Sequence, residues 1–109
     1  MSVISWVRSM VSHRGKSVEL YRSGMKKADL QDYKGAIADY SAAIESTHTP
    51  PDVKAMATYN RALAFSAILE HGKAAQDLST VLHMPQVPPS VKDAALRRQE
   101  RVRKRDQRK

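Results

Sequence analysis

The chain has 109 residues, no cysteine and 19 Lys and Arg against 11 Asp and Glu, for a formal charge of +8; that length gives one domain with a modest core. The missing thiols exclude a disulfide scaffold, a thiolate zinc site and a cysteine nucleophile, and no run approaches the roughly 18 apolar residues of a membrane-spanning helix. So basic a chain suits nucleic acid, anionic membrane or acidic protein, while 41% hydrophobic residues argue against a wholly disordered basic tail.

The charge sits at the ends. Residues 1–18 carry Arg8, Arg14 and Lys16 and no acid, residues 19–91 carry seven bases and eight acids, and residues 92–109 carry nine bases and three acids. Within residues 1–14, Val3, Ile4, Val7, Met10 and Val11 fall on one helical face with Trp6 at its edge. This predicts an amphipathic helix that packs over the first part of the core. A membrane-surface or targeting helix is the alternative.

A helix from about Lys16 to Leu30 follows, with Leu20, Tyr21, Gly24 and Ala28 on one side. Gly24 costs a helix about 1 kcal/mol relative to Ala, which points to a close approach at that position. Asp32 is placed to cap the next helix, where Tyr33, Ala36, Ile37, Tyr40, Ala43 and Ile44 recur at steps of three and four. His48-Thr49-Pro50-Pro51 breaks the chain, since proline ends one helix and suits the first turn of another. From about Val53 to Leu69 the apolar positions are Met56, Tyr59, Ala62, Leu63 and Phe65; then come Ala74, Ala75, Leu78, Val81 and Leu82. After a second Pro-rich joint, Met84 to Pro89, Ser90 and Asp93 have the spacing of a capping box, predicting a helix that begins near Val91 and runs into the basic tail. No stretch alternates with period two, so the expected fold is all-α.

These elements repeat. Pro50-Pro51-Asp52-Val53-Lys54 recurs as Pro88-Pro89-Ser90-Val91-Lys92, a shift of 38 residues, and the same shift pairs Tyr21 with Tyr59, Gly24 with Ala62, Ala36 with Ala74, Asp39 with Asp77, Tyr40 with Leu78 and Ser41 with Ser79. The reading is two copies, about 16–53 and 54–90, and the opening of a third in 91–109.

Tyr21-Arg22-Ser23-Gly24, then Leu30 to Tyr40 and Ala43-Ile44, resemble a tetratricopeptide repeat; Tyr59-Asn60-Arg61-Ala62 with Ala74, Leu78 and Val81 resemble a second. The resemblance implies two antiparallel helix pairs in a solenoid, with a basic C-terminal capping helix. It also implies a groove, lined by the first helix of each copy, that binds a peptide or protein segment without catalysis. Carried onto this chain, the groove consists of Tyr21, Arg22, Met25, Met56, Tyr59, Asn60, Leu63, Arg97, Arg98 and Arg101. Apolar at one end and basic at the other, it suits an acidic or carboxylate-ended segment. Asn60 and Arg98 match positions of the clamp by which one subclass holds chaperone tails, but Tyr21 and Met25 stand where that clamp has Lys and Asn.

No phosphate loop, nucleophile elbow or isolated carboxylate pair is present, and the four histidines lack metal-ligand spacing. The expectation is therefore a cytoplasmic adaptor that uses no metal or cofactor and is not an enzyme. Two repeats bury little core, so pairing of copies is an open alternative. The rival reading is polyanion or nucleic-acid binding by the Arg-rich tail, which depends on salt but has no aromatic residue to stack on bases.

Overall fold

The computed structural model describes the backbone of residues 3–108 and the side chains of residues 15–108. Among these, the chain forms α1 (Val3–Asp29), α2 (Tyr33–Glu45), α3 (Pro51–Ala67), α4 (His71–His83) and α5 (Pro89–Gln107), with no strand. The all-α expectation holds. The backbone passes through Gly15 inside α1 without a break. The side chains of the apolar face Val3, Ile4, Val7, Met10 and Val11 lie outside the described residues.

The 38-residue shift extends to the backbone hydrogen bonds. α1 ends with Asp32 N–H donating to the Lys27 carbonyl and Gln31 N–H to that of Ala28; α3 ends with Glu70 N–H donating to Phe65 and Leu69 N–H to Ser66. Both are Schellman turns, and both place a non-glycine residue in the left-handed region, Gln31 at φ 64° and Leu69 at φ 65°. The caps Pro50 and Pro88 have nearly the same backbone angles, and Lys54 and Lys92 N–H donate back to them.

Turns of three residues, 30–32 and 68–70, leave the chain no course but reversal, so α2 runs back along α1 and α4 along α3. Each helix packs on the next in sequence, and α3 also touches α1 and α5. Two small cores result. Ala36, Tyr40, Ala43 and Ala57 form the first, flanked by Leu20, Ala28 and Ile44. Ala55, Ala62, Leu78, Val81 and Ala95 form the second, flanked by Tyr59, Leu82, Met84, Val87 and Val91.

Alanine dominates both cores because the helices approach closely. At Gly24 the approach is tightest, since a Cβ there would lie 2.6 Å from Cε1 of Tyr40. In the second copy the pair is Ala62 and Leu78: a smaller partner across the interface leaves room for the methyl group.

One expectation about a helix start is corrected. α5 begins at Pro89, two residues ahead of Val91, with Pro88 as its cap and no side-chain capping bond. Ser90 is therefore already inside the helix, because Pro89 fits the first helical position, where the missing N–H has no partner to lose. In α2 the expected cap is present: Gly35 N–H donates to Asp32 Oδ1 at 3.0 Å.

Among the described residues, the outer faces of α1 and α5 carry polar side chains, with Leu96, 47% exposed, the apolar exception on α5. On α3, Arg61, Ala62 and Phe65 face α4; the residues 38 positions later on α5 are Gln99, Glu100 and Arg103, all exposed. Glu100 and Arg103 pair with each other, Arg103 Nε donating to Glu100 Oε2 at 3.1 Å. On α1, exposed Glu19 takes the place of buried Ala57.

Candidate functional site

The odd-numbered helices carry all ten groove residues expected from the sequence. Between the C-terminal halves of α1 and α3 lies a hollow of about 370 Å³, whose walls include Met25, Tyr33, Tyr40, Asn60 and Leu63, with the exposed carboxylate of Asp29 at its margin. Three of the expected residues, Met25, Asn60 and Leu63, therefore line one concavity. Met25 is 37% exposed, high for so apolar a side chain.

Asn60 organises the floor. Its Nδ2 donates to the Tyr21 hydroxyl at 3.0 Å and to the Met56 carbonyl at 2.9 Å, which fixes the amide and ties α3 to α1. Tyr21 is correspondingly buried, its ring edge-on to that of Tyr40 at 6.1 Å between centroids. It supports the hollow from beneath and does not present a face to a ligand. Burial pushes its hydroxyl pKa up, against the opposing effect of the Asn60 hydrogen bond. The Tyr40 hydroxyl is pushed up to about 12, first by burial and then by the charges of Tyr21, Asp29 and Asp39. Both phenols are neutral hydrogen-bonding groups at physiological pH.

The other expected residues are dispersed. Tyr59 is half-buried against the second core, Met56 contributes its carbonyl to Asn60, and Arg22 stands exposed. Leu63 is also part of a narrow crevice where α5 meets α3 and α4, lined by Ser66, Ala74, Leu78, Arg98, Val102 and Arg105, so it forms the ridge between the two depressions. Arg97 and Arg101 are exposed on α5 beyond the ridge.

Sequence reasoning missed Tyr33 and Tyr40 as groove walls, because their helical spacing reads as core. It also missed the polar network behind the groove. Arg61 donates from Nε and Nη2 to the two carboxylate oxygens of Asp77, each at 2.8 Å, and from Nη1 to Ser41 Oγ at 3.0 Å. The Asp77 hydrogen bonds raise the Arg61 pKa against the effect of burial, keeping the guanidinium charged. In the first copy Ser23 stands in place of Arg61, and its hydroxyl donates to Asp39 at 2.6 Å while Lys27 pairs with the same carboxylate at 3.0 Å. Burial raises the Asp39 pKa, but the Ser23 and Lys27 bonds and the Lys27 charge together outweigh it and hold the carboxyl below its ordinary value. The signal in sequence was the equivalence of Asp39 and Asp77.

Arg61 and Asp77 also line an outer cleft of about 620 Å³ between α2 and α4, with Ile44, Lys54, Thr58 and Thr80. Its charges are largely closed by the ion pair, and Thr58 and Thr80 donate to carbonyls of their own helices. Among the described residues, no three His, Asp or Glu side chains are grouped to hold a metal ion, and no helix is long and apolar enough to cross a membrane. Compared with protein-family models, curated proteins and solved structures, the chain matches none.

Proposed function

We propose that this chain is a non-catalytic interaction module of the tetratricopeptide type, working in the cytoplasm. It holds a protein segment in the groove between α1 and α3. The observation that carries the reading is the convergence of Met25, Asn60 and Leu63 on one hollow. Exposed apolar atoms around a fixed amide suit a peptide, giving a hydrophobic anchor site beside one acceptor, Asn60 Oδ1, since both Nδ2 hydrogens are already donated to Tyr21 and Met56. Arg98 and Arg105, across the Leu63 ridge, give the groove its preference for acidic residues next to the anchor. α5 closes the stack: its N-terminal half covers the second core, and its outer face carries Gln99, Glu100 and Arg103 in place of an apolar docking face.

Calorimetric titration with a library of acidic peptides, each bearing one large apolar residue, tests the proposal. Binding in the micromolar range is expected, with loss of at least tenfold in Leu63→Glu and a smaller loss in Arg98→Gln. Binding indifferent to Leu63→Glu would remove the groove from consideration.

A further inference from the structure

Helix α5 carries two faces of different electrical character. Arg97, Arg101, Lys104 and Arg108 follow at steps of four, three and four residues, one line about 16 Å long on a helix rising 1.5 Å per residue. All four are exposed and none makes an ion pair among the described residues. Asp93 stands one turn before Arg97 at the start of the line, and Glu100 beside it is bound to Arg103 while also feeling the charge of Lys104. The outer face, with Gln99, Glu100, Arg103, Asp106 and Gln107, mixes signs. Solubility asks for nothing more than that mixture, so the outer face serves as a control within the same helix. A row of one sign is not explained by capping.

At the places of Arg97, Arg101 and Lys104, α3 has Tyr59, Leu63 and Ser66, and α1 has Tyr21, Met25 and Ala28. In the third copy every member of the row has become a cation. Beyond residue 98 the helix is largely exposed: of residues 99–108, only Val102 is not, and on that inner side Val102 and Arg105 border the crevice against α3 and α4 while the row faces outward.

We infer that this row binds the phosphate backbone of double-stranded DNA, with the projecting half of α5 in the major groove. A protein interface is organised around a desolvated apolar centre, and residues 99–108 have only Val102 to offer one. A membrane-surface helix needs a continuous apolar face, which is likewise missing. Phosphates are the partner that charge alone can hold, through counterion release. The absence of an aromatic residue in α5 disfavours single strands, which are gripped by stacking. An α-helix with its side chains is about 10–12 Å across, and the major groove of B-form DNA, about 12 Å wide, admits it; the deep, narrow groove of duplex RNA does not. Val91 and Ala95 fix the first half of α5 to the second core, so the projecting half is presented on a rigid base. The inference does not rest on what fills the hollow between α1 and α3.

Fluorescence anisotropy with a labelled DNA duplex of about 20 base pairs, from roughly 50 to 200 mM KCl, is the test. The full chain is expected to bind at micromolar strength, with log K falling against log salt at a slope near −4, about 0.9 for each phosphate neutralised. Arg101→Gln/Lys104→Gln/Arg108→Gln should weaken binding and reduce that slope by about three, with helicity by circular dichroism unchanged. Arg103→Gln, on the outer face, should leave the slope as it is, and a duplex RNA of matched sequence should bind several-fold more weakly. No DNA binding at the lowest salt, equal losses in the triple and Arg103→Gln variants, or duplex RNA bound as tightly as DNA would each overturn the inference.

Discussion

Gly24 and Tyr40 show how one atom sets the distance between two helices. An alanine at position 24 would improve helix propensity by about 1 kcal/mol, but its methyl group would lie 2.6 and 2.7 Å from two carbons of the Tyr40 ring. Tyr40 is buried and edge-packed on Tyr21, so it has little freedom to withdraw. Overpacking of this kind costs typically 1–3 kcal/mol, and Gly24→Ala is expected to destabilise the chain by about 1 kcal/mol in urea unfolding once the gain in propensity is subtracted. Combining it with Tyr40→Leu reproduces the Ala62 and Leu78 pair of the second copy, and the double variant should be more stable than the sum of the two single effects predicts. Strict additivity would show that the two residues do not compete for the same space. Asp39 gives a second expectation at this scale. Its carboxyl is held below the ordinary value, so the folded state favours the ionised form; that contribution is present above the unfolded-state pKa and is lost as pH falls through the folded one. The stability advantage of the native chain over Asp39→Asn should therefore be constant near neutrality and shrink in acid, and an advantage unchanged at low pH would contradict the assignment.

At the scale of elements, the two Schellman turns hold residues with no intrinsic liking for them. Leu69 sits at φ 65° and is 76% exposed, so it bears the steric cost of the left-handed region while packing against little. Leu69→Gly is expected to raise stability by about 1 kcal/mol, read from the urea midpoint; destabilisation would mean that the side chain packs more than its exposure indicates. The same residues explain what the sequence could and could not disclose. Helix identity and the 38-residue period were legible because they are written in residue types, at Tyr21 and Tyr59, Asp39 and Asp77, and the paired prolines. The place of the tight turns was legible, from Asp32 ahead of α2, but their left-handed form was not, because Gln31 and Leu69 lack the glycine signature that marks such a cap. The start of α5 was misplaced because Ser90 imitates a cap, while Pro89, which fits the first helical position, is the stronger signal. The groove was half legible. The resemblance put ten residues on the odd helices, but only packing could separate Met25 and Leu63, which line the hollow, from Tyr21, which the Asn60 amide and the Tyr40 ring draw into the interior.

For the whole molecule, the division of labour inside α5 matters most. Ala95 and Val91 pack in the second core, whereas Arg101, Lys104 and Arg108 are exposed and carry much of the basic excess. Fold and charge thus separate along one helix, near residue 99. Polar residues on the faces where a further helix would stack, Glu19 at one end and Glu100 and Arg103 at the other, together with like charge at both ends, disfavour head-to-tail assembly of copies. The chain is expected to run as a monomer in light scattering, and a stable dimer would show that one of these faces is used after all. The most direct measurement is urea unfolding of a chain that ends at Gln99. Loss of Val102 and the basic residues beyond it should lower stability by no more than about 1 kcal/mol, with a single cooperative transition of nearly unchanged slope. A broad transition, or a collapse of the midpoint, would contradict the separation, placing the basic segment inside the fold.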